Sequence, residues 1–378
     1  MIYADHAATT KISETAKLAM LSAMEKDWYN PSSLYTPGQQ ASGTLMDARV
    51  RIAHCLGCLP KEIYFTSGGS EADNQAILSA AAIGKRQGKM HIISTAFEHH
   101  AVLHTLKKLE KEGFEITLLD VGEKGIVSPV QVEKAIRPDT ILVTVMYANN
   151  EIGTIQPIRE IGAICRKNGV LFHTDAVQAA GHLQINVEKD QIDMLSLSAH
   201  KFNGPKGIGV LYAKTGVFLT NLIEGGGQER GKRAGTENLP AIVGMVAALE
   251  EACSLQKERS IYVTKLRDQL IDGLKKIPGA LLNGDATNRL PGNVNFCFPD
   301  TEAEGLLLLL DNKGICASSG SACTSGFLDP SHVLLAIGRD PQTARGSLRL
   351  TLDYENTPEE VELSLIHISE PTRLGMIS

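Results

Sequence analysis

The sequence lacks the features that would indicate a membrane, secreted or nucleic-acid-binding protein. No apolar run reaches the ~18 residues of a membrane helix, and the first ten residues lack the basic and apolar regions of a signal peptide. The charge balance is slightly negative, with 37 Lys and Arg against 43 Asp and Glu, so neither nucleic acid nor a membrane surface is an expected partner. We therefore expect a cytoplasmic globular protein with a small-molecule substrate or a protein partner.

Cysteine is scarce as well. Seven cysteines in 378 residues form an odd, scattered set, which is typical of a reducing cytosol rather than of a disulfide framework. Cys55 and Cys58 form one CxxC without a second, so no metal site is expected, and Cys165, Cys253, Cys297 and Cys316 lie in apolar patterns typical of core residues. Cys323 differs, because the small-residue stretch SSGSACTSG around it predicts an exposed loop and a reactive thiol.

Strand and helix patterns alternate over the first 240 residues. Strands are predicted at 62–66, 91–94, 115–119, 140–147, 169–175, 194–197 and 208–212, and helices at 13–26, 39–56, 72–87, 101–112, 129–136 and 159–168. This alternation predicts an α/β fold, with a mostly parallel sheet flanked by helices on both faces. The active site is then expected beyond the carboxyl ends of the strands.

The pattern changes after residue 239. A long helix over 240–275 leads to shorter strands at 293–298, 315–317 and 347–352, and a chain of this length is expected to form two domains. We place a large domain at residues 15–245 and a small domain at residues 1–14 and 246–362.

The end of the chain has an unusual composition. A helix is predicted to begin near Thr357, which has the pattern of a capping box with Glu360. From residue 363 the letters LSLIHISEPTR are similar to the in-frame translation of a sequencing-library adapter. We therefore predict that residues 363–378 are a non-native tail that truncates the last helix of the small domain.

Lys201 and Asp175 are the central candidates for chemistry. Lys201 follows an apolar strand and a Ser-Ala-His turn, and Asp175 ends the preceding strand. A lysine at a strand end usually extends its amine into solvent. The aspartate at the end of the neighbouring strand allows a second interpretation, in which the lysine and the aspartate together bind a cofactor. Pyridoxal phosphate enzymes need this pair, an acid for the pyridine nitrogen and an amine for the aldehyde.

Other polar residues follow the predicted strands at the same edge. Gly68, Gly69 and Ser70 join a strand to a helix, where they could hold a phosphate or form an ordinary turn. His99 and His100 could stack on a cofactor and shuttle protons, or be solvated loop residues. The remaining candidates at this edge are Asn149, Asn150, Gln178, Ser198 and His200.

These motifs resemble, in order, those of the cysteine desulfurases of the NifS/IscS type, which belong to the class V aminotransferase family. The matching segments are FTSGGSEADN, FEHHAV, YANNEIGT, HTDAVQ, SAHKFNGPKG, RAGTEN and SSGSACTSG, and the resemblance extends from residue 2 to about residue 362. It implies a homodimer with pyridoxal 5'-phosphate as cofactor. It also implies fold type I of the pyridoxal phosphate enzymes, with a seven-stranded sheet in the large domain and a smaller α+β domain.

The resemblance also implies a role for each site residue. Lys201 would bind the cofactor aldehyde, Asp175 the pyridine nitrogen and Gln178 the phenolic oxygen, with His99 stacked on the ring. The phosphate would be held by Gly69, Ser70, Ser198, His200 and Thr236 of the partner subunit. Asn150 and Arg349 would bind the substrate carboxylate, and Cys323 would take the sulfur atom.

The implied reaction converts L-cysteine to L-alanine and leaves a persulfide on Cys323. The sulfur would pass to an iron–sulfur scaffold or to a tRNA-thiolation protein. Selenocysteine lyase and class V aminotransferase remain alternative activities on the same fold. A catalytically inactive partner protein is a further alternative.

Overall fold

The structure is a computed structural model that describes residues 1–299, 301–320 and 330–375, with 370–375 as backbone only. The strands of the described residues are β1 (Ile2–Tyr3), β2 (Ile63–Thr66), β3 (His91–Thr95), β4 (Glu115–Leu119), β5 (Thr140–Thr144), β6 (Leu171–Asp175), β7 (Met194–Ser198), β8 (Gly209–Ala213), β9 (Leu281–Leu282), β10 (Asn293–Cys297), β11 (Ile315–Cys316) and β12 (Ser347–Thr351). The helices are α1 (Glu14–Lys26), α2 (Thr36–Leu56), α3 (Gly69–Gln87), α4 (His100–Lys111), α5 (Pro129–Ala135), α6 (Ile158–Asn168), α7 (Gln228–Gly231), α8 (Leu239–Leu274), α9 (Ala303–Asn312), α10 (His332–Ala336), α11 (Pro341–Arg345) and α12 (Pro358–Gly375).

The largest sheet has seven strands in the order β2-β8-β7-β6-β5-β3-β4. β8 runs antiparallel to both of its neighbours, and the pairs from β7 to β4 are parallel. The predicted mostly parallel seven-stranded sheet is confirmed. Because β5, β6 and β7 are neighbours that pair in parallel, the carboxyl ends of these strands lie side by side at one edge.

Helices cover both faces of this sheet. Ile92 and Leu142 belong to one buried cluster with α3 and α4, whereas Ile93 and Val143 belong to another with α2 and α6. Successive residues of a strand point to opposite faces, so two apolar layers sandwich the sheet. Both faces are therefore largely apolar, and the polar groups that can meet a ligand lie mainly at the strand ends.

A third buried cluster forms around the second half of α8. It includes Val263, Leu270, Phe296 and Leu350, and its strands form the antiparallel sheet β12-β10-β9 and the parallel pair β1-β11. The chain's first strand therefore packs with residues from its last third. This agrees with a smaller unit that includes the N-terminal residues, while the boundaries 15–245, 1–14 and 246–362 stay predictions.

The helix α8 connects the two parts. By length and composition alone, one 18-residue window of Leu239–Leu274 could cross a membrane, but 56% of that window is buried inside the protein. This burial is typical of a core helix. The prediction that Cys253 is a core residue is wrong, because its position on α8 exposes it.

The last helix extends beyond residue 362. Leu365 lies against Gly273 of α8, where an added Cβ would be 2.4 Å from a Leu365 methyl carbon, and Ile368 is fully buried in the third cluster. The segment that the sequence analysis sets apart as a tail thus packs against the small unit. Its adapter origin stays a prediction.

Candidate active site

A cavity of about 350 Å³ opens at the carboxyl ends of β6 and β7, within the ~300–1,000 Å³ typical of small-molecule sites. This is the edge at which the sequence predicts the site. Its lining contains the predicted residues Gly69, Ser70, His99, Asn150, Asp175, Gln178, Ser198, His200, Lys201 and Arg349. Of the residues to which the resemblance assigns a role, two are not among them: Thr236, which is exposed in this chain, and Cys323, which lies outside the described residues. Gly68, His100 and Asn149, which the sequence also places at this edge, do not line the cavity.

Asp175 forms the buried end of the cavity. It is the last residue of β6 and is 5% exposed, and its Oδ1 accepts a hydrogen bond of 2.9 Å from the Val177 N–H. Burial raises the pKa of Asp175, while His99, the Val177 N–H and Lys201 act to lower it. A carboxylate here would be stabilised most by a cationic group within the cavity.

Lys201 is held by the N-terminal segment. It lies in the 3-10 turn Ala199–Lys201 directly after β7, and its Nζ donates to the carbonyl oxygens of Ala7 at 2.6 Å and Ala8 at 2.8 Å. Gln178 Nε2 donates to the same Ala7 carbonyl at 3.0 Å. Sequence reasoning missed residues 7 and 8, because a backbone carbonyl has no signature in the residue type.

The N-terminus of α3 forms a polar cradle. The helix begins at Gly69 rather than at residue 72 as predicted, which places Gly69 and Ser70 in its first turn, where backbone N–H groups lack helical partners. A Cβ on Gly69 would lie 2.6 Å from a Val177 methyl carbon, so only glycine allows this close approach. The free N–H groups and the helix dipole favour an anion here.

His200 lies beside this cradle. Its Nδ1 is 3.2 Å from the Thr9 hydroxyl, and burial, aided by Lys201 and Lys206, lowers its pKa to about 4. The imidazole is therefore neutral at physiological pH and can donate one hydrogen bond. Ser198, the last residue of β7, is 5% exposed and contributes a hydroxyl to the same cavity.

His99 is the N-cap of α4. Its Nδ1 accepts a hydrogen bond of 3.1 Å from the Ala101 N–H. The accepting role assigns the proton of the neutral ring to Nε2. The cap fixes the position of the ring at the cavity wall and leaves Nε2 to exchange a proton.

Asp73 is a cavity residue that the sequence analysis missed. It is 1% exposed, and one of its carboxyl oxygens lies within 4.8 Å of one Asp175 oxygen and of a His99 ring nitrogen. A signal was present, because Asp73 precedes Ile77 by one helical turn and so shares the buried face of α3. An acid on an apolar helix face is the type of exception that indicates a site.

Arg349 lines the same cavity. It lies on β12 and is 3% exposed; its Nη2 donates to Asp5 Oδ1 at 2.7 Å and its Nη1 to the Asn150 carbonyl at 3.1 Å. Among the described residues its Nε has no hydrogen-bond partner. The guanidinium is thus held in place with further N–H donors available, and Asp5, which holds it, was not predicted from the sequence.

Residues on both sides of the undescribed segment 321–329 lie near Glu151. Gly320 lines the cavity, and a Cβ there would be 2.8 Å from Glu151 Oε2. The Ser331 hydroxyl donates to the same oxygen at 2.5 Å. The chain that contains Cys323 therefore leaves and rejoins the described structure beside one buried carboxyl group at this cavity.

The donor set is suited to pyridoxal phosphate. The cavity combines an anion cradle at α3, a buried carboxyl at Asp175 that a cation would stabilise, and an amine at Lys201. Asp73 also has a buried oxygen with no hydrogen-bond partner among the described residues. A phosphate, a pyridine nitrogen and an aldehyde each find a complementary group in this set.

Comparisons with known proteins agree with this assignment. Residues 2–363 match the family model of aminotransferase class V. The chain is 52% identical to cysteine desulfurase IscS of Methanosarcina thermophila over 98% of this chain and 91% of that protein, and 52% identical to cysteine desulfurase IscS of Clostridium botulinum over 96% and 92%. It is also similar to the solved structure of a NifS-like protein, with a TM-score of 0.92, 38% identity and 99% of both chains covered.

Proposed function

The chain belongs to the class V aminotransferase family, and from this membership we propose that it is a pyridoxal phosphate-dependent cysteine desulfurase. The reaction is L-cysteine plus the Cys323 thiol giving L-alanine plus a persulfide on Cys323. The observation that carries this proposal is the convergence of Asp175, Lys201 and the α3 cradle on one cavity that also contains Arg349. The 52% identity to cysteine desulfurases over nearly the whole chain supports the same reaction.

The cofactor would be held at three points. The first turn of α3, Ser198 and His200 would bind its phosphate, Asp175 its ring nitrogen and Lys201 its aldehyde. When bound, pyridoxal phosphate supplies an aldehyde for the substrate amine and a protonated ring that takes up electrons from the substrate's Cα. Gln178, already fixed by its bond to Ala7, would donate to the phenolic oxygen.

Two groups of this chain act on the amino acid itself. Lys201, once free of the aldehyde, removes the proton from Cα and returns a proton as alanine forms. Arg349 binds the substrate carboxylate, since Asp5 and the Asn150 carbonyl already fix its orientation and a guanidinium pairs well with a carboxylate. The Asn150 side chain is proposed as a second carboxylate ligand, since Asn150 lines the same cavity.

Cys323 takes the sulfur atom. Its thiolate attacks the substrate sulfur, the carbon–sulfur bond breaks and a sulfur–sulfur bond forms, while the carbon keeps the electron pair and gains a proton. The transferred sulfur keeps its proton, and His99, whose Nε2 carries the ring proton because Nδ1 accepts from the Ala101 N–H, acts as the proton shuttle at the substrate thiol by donating from Nε2. Cys323 is three residues from Gly320, which lines the cavity, and three residues of extended chain span at most about 11 Å.

The persulfide must then leave the site on Cys323. We propose a protein acceptor, either an iron–sulfur scaffold or a tRNA-thiolation protein, in the cytoplasm. We also propose a homodimer in which Thr236 of the partner subunit contacts the phosphate. The exposure of Thr236 and its absence from the cavity of its own chain support a role across a subunit interface.

The experiment that tests the function compares wild type with Cys323→Ala. Wild type should have the visible absorbance of a Schiff base and release sulfide and alanine from L-cysteine in the presence of a reductant. Cys323→Ala should keep the absorbance and lose sulfide production. Sulfide production at the wild-type rate by this variant would refute the role of Cys323.

The same assay separates the alternative activities. An aminotransferase would form a keto acid without alanine. A selenocysteine lyase would release selenide from L-selenocysteine and little sulfide from L-cysteine. A protein without visible absorbance after incubation with pyridoxal phosphate would contradict the cofactor assignment itself.

A further inference from the structure

Asp73 is a buried carboxyl group that the proposed reaction does not use. It lies in the first turns of α3 and lines the cavity. Only 1% of its surface is exposed, and its Oδ1 has no hydrogen-bond partner among the described residues. A buried carboxylate in this state is costly unless it is neutral or compensated by a positive charge.

The neighbouring elements bring several titratable groups to the surroundings of Asp73. They are Asp175 and His173 of β6, Glu98 and His99 of the turn between β3 and α4, and Lys201 after β7. The Ser196 hydroxyl of β7 also bonds to the Asp73 carboxyl. Two of these groups could in principle compensate a charge on Asp73 directly, namely His173 and His99.

His173 does not supply that charge. Its Nε2 is 3.6 Å from Asp73 Oδ1, but its nitrogens lie 2.8 Å from the Thr144 hydroxyl and 3.0 Å from the Ser196 hydroxyl. Burial lowers the pKa of His173 to about 3, so the ring is neutral. Hydroxyl partners on both sides are the ordinary arrangement of a neutral imidazole.

Glu98 does not supply a negative charge at neutral pH either. Its Oε1 accepts hydrogen bonds from Thr95 and from the Met146 N–H, yet burial raises its pKa to about 8. His99 and Lys201 act chiefly on Asp175, whose pKa they lower. The electrostatics around Asp73 therefore depend mainly on Asp175.

The two aspartates form a closely coupled pair. One oxygen of each lies within 4.8 Å of the other, and both residues are at least 95% buried. Burial and then the charge of Asp175 raise the pKa of Asp73. Two carboxylates at this separation cannot both ionise cheaply, and they lose their protons in two steps that belong to the pair.

We propose that Asp73 is a positioning residue that shares one proton with Asp175 and keeps that proton when Asp175 faces the cofactor's ring nitrogen. The arrangement lets Asp175 carry its negative charge without a second negative charge beside it. This inference rests on the proposed cofactor site, because only there does Asp175 meet a protonated ring.

The first test uses the protein without cofactor, so it does not depend on activity. Asp73→Asn and Asp175→Asn each remove one acid of nearly the same shape, and the double variant removes both. An infrared band of a protonated carboxyl group should be present in wild type at neutral pH and should lose intensity in Asp73→Asn. An unchanged band in Asp73→Asn would overturn the proposal.

Thermal unfolding against pH gives a second readout. Where folding raises the pKa of a carboxyl group, the free energy of unfolding falls as the pH rises from the group's pKa in the unfolded chain through its pKa in the folded protein. The wild-type melting temperature should therefore fall as the pH rises above the ordinary pKa of an aspartate. Either single variant should remove most of that fall. The double variant should add little, because the two singles remove the same interaction. Parallel profiles for wild type and Asp73→Asn would contradict a shared proton.

Cofactor binding separates the two residues. Asp175→Asn should weaken pyridoxal phosphate binding at every pH, whereas Asp73→Asn should bind it with a dissociation constant that varies less between about pH 5 and pH 9 than that of wild type. Asp73→Glu restores the acid and should restore the pH dependence. If neither wild type nor any variant binds pyridoxal phosphate, while the melting temperatures of the cofactor-free proteins depend on pH as expected, the cofactor assignment is wrong and the shared proton is still supported.

Discussion

One wall of the cavity is made by the carboxyl ends of β6 and β7 and by the start of α3, whereas a second wall is made by Arg349 on β12 and residues at the start of the chain. On the first wall, the functional side chains follow buried strands within a few residues. On the second wall, Arg349 meets Asp5, 344 residues away in sequence. The first wall is suited to bind a cofactor and the second wall is suited to bind a substrate. Substitutions in one wall should therefore change the binding of one of the two without changing the binding of the other.

The largest effect should follow Lys201→Ala, which removes the only amine proposed to move the Cα proton. General acid–base groups contribute about 10²- to 10⁴-fold to rates, so alanine formation should fall by at least that factor. Lys107→Ala, on the exposed side of α4, is the matched control and should keep wild-type turnover. Retention of more than about a hundredth of the wild-type rate by Lys201→Ala would contradict its assignment.

Arg349→Lys tests the second wall. A lysine keeps the charge but cannot make the forked contact with a carboxylate, so we expect KM for L-cysteine to rise about 10- to 100-fold, with a smaller change in kcat. The visible absorbance of the bound cofactor should not change. Arg345→Lys, exposed on α11, should leave KM unchanged. A loss of cofactor from Arg349→Lys would mean that the two walls are not separable.

Thr236→Ala tests whether a second copy of the chain completes the first wall. Loss of one hydrogen bond to a phosphate should weaken pyridoxal phosphate binding by about tenfold. Refolding Thr236→Ala together with Lys201→Ala should produce mixed dimers in which one of two sites is intact. At a limiting concentration of pyridoxal phosphate, which leaves Thr236→Ala mostly without cofactor, turnover above that of either variant alone is expected, and its absence after verified mixing would oppose a shared site.

The smallest effect concerns stability at acid pH. Folding lowers the pKa of His173 from 6.5 to about 3. The contribution of this residue to the free energy of unfolding is therefore fully present above pH 6.5 and is lost as the pH falls from there toward 3. The melting temperature of the cofactor-free protein should fall across this range. His173→Gln, which keeps polar contacts without the charge change, should have a shallower profile. An equally steep profile would place the acid sensitivity elsewhere.

The two walls also differ in what the sequence predicts. Asp175, Ser198 and Lys201 could be found because each follows a buried strand, and parallel strands bring their ends to one edge. The contacts of Lys201 with Ala7 and Ala8, and of Arg349 with Asp5, could not, because they depend on how the small unit folds back on the sheet. Asp73 lies between these cases, since its position on a buried helix face was visible but its closeness to Asp175 was not.

The exact start of α3 also matters for the predicted function. Predicting the start of α3 at residue 72 left Gly69 and Ser70 in a loop, because glycines weaken a helix pattern. In the structure they form the first helical turn, which is what gives the cradle its unpaired N–H groups. The tight contact of Gly69 with Val177 explains why a glycine occupies that turn.

The most direct test of the account is a single turnover with limiting L-cysteine in the absence of reductant. We expect one alanine for each intact site and a mass increase of one sulfur atom on the peptide that contains Cys323, with neither product in Lys201→Ala. Alanine without sulfur on Cys323, or a keto acid in place of alanine, would contradict it.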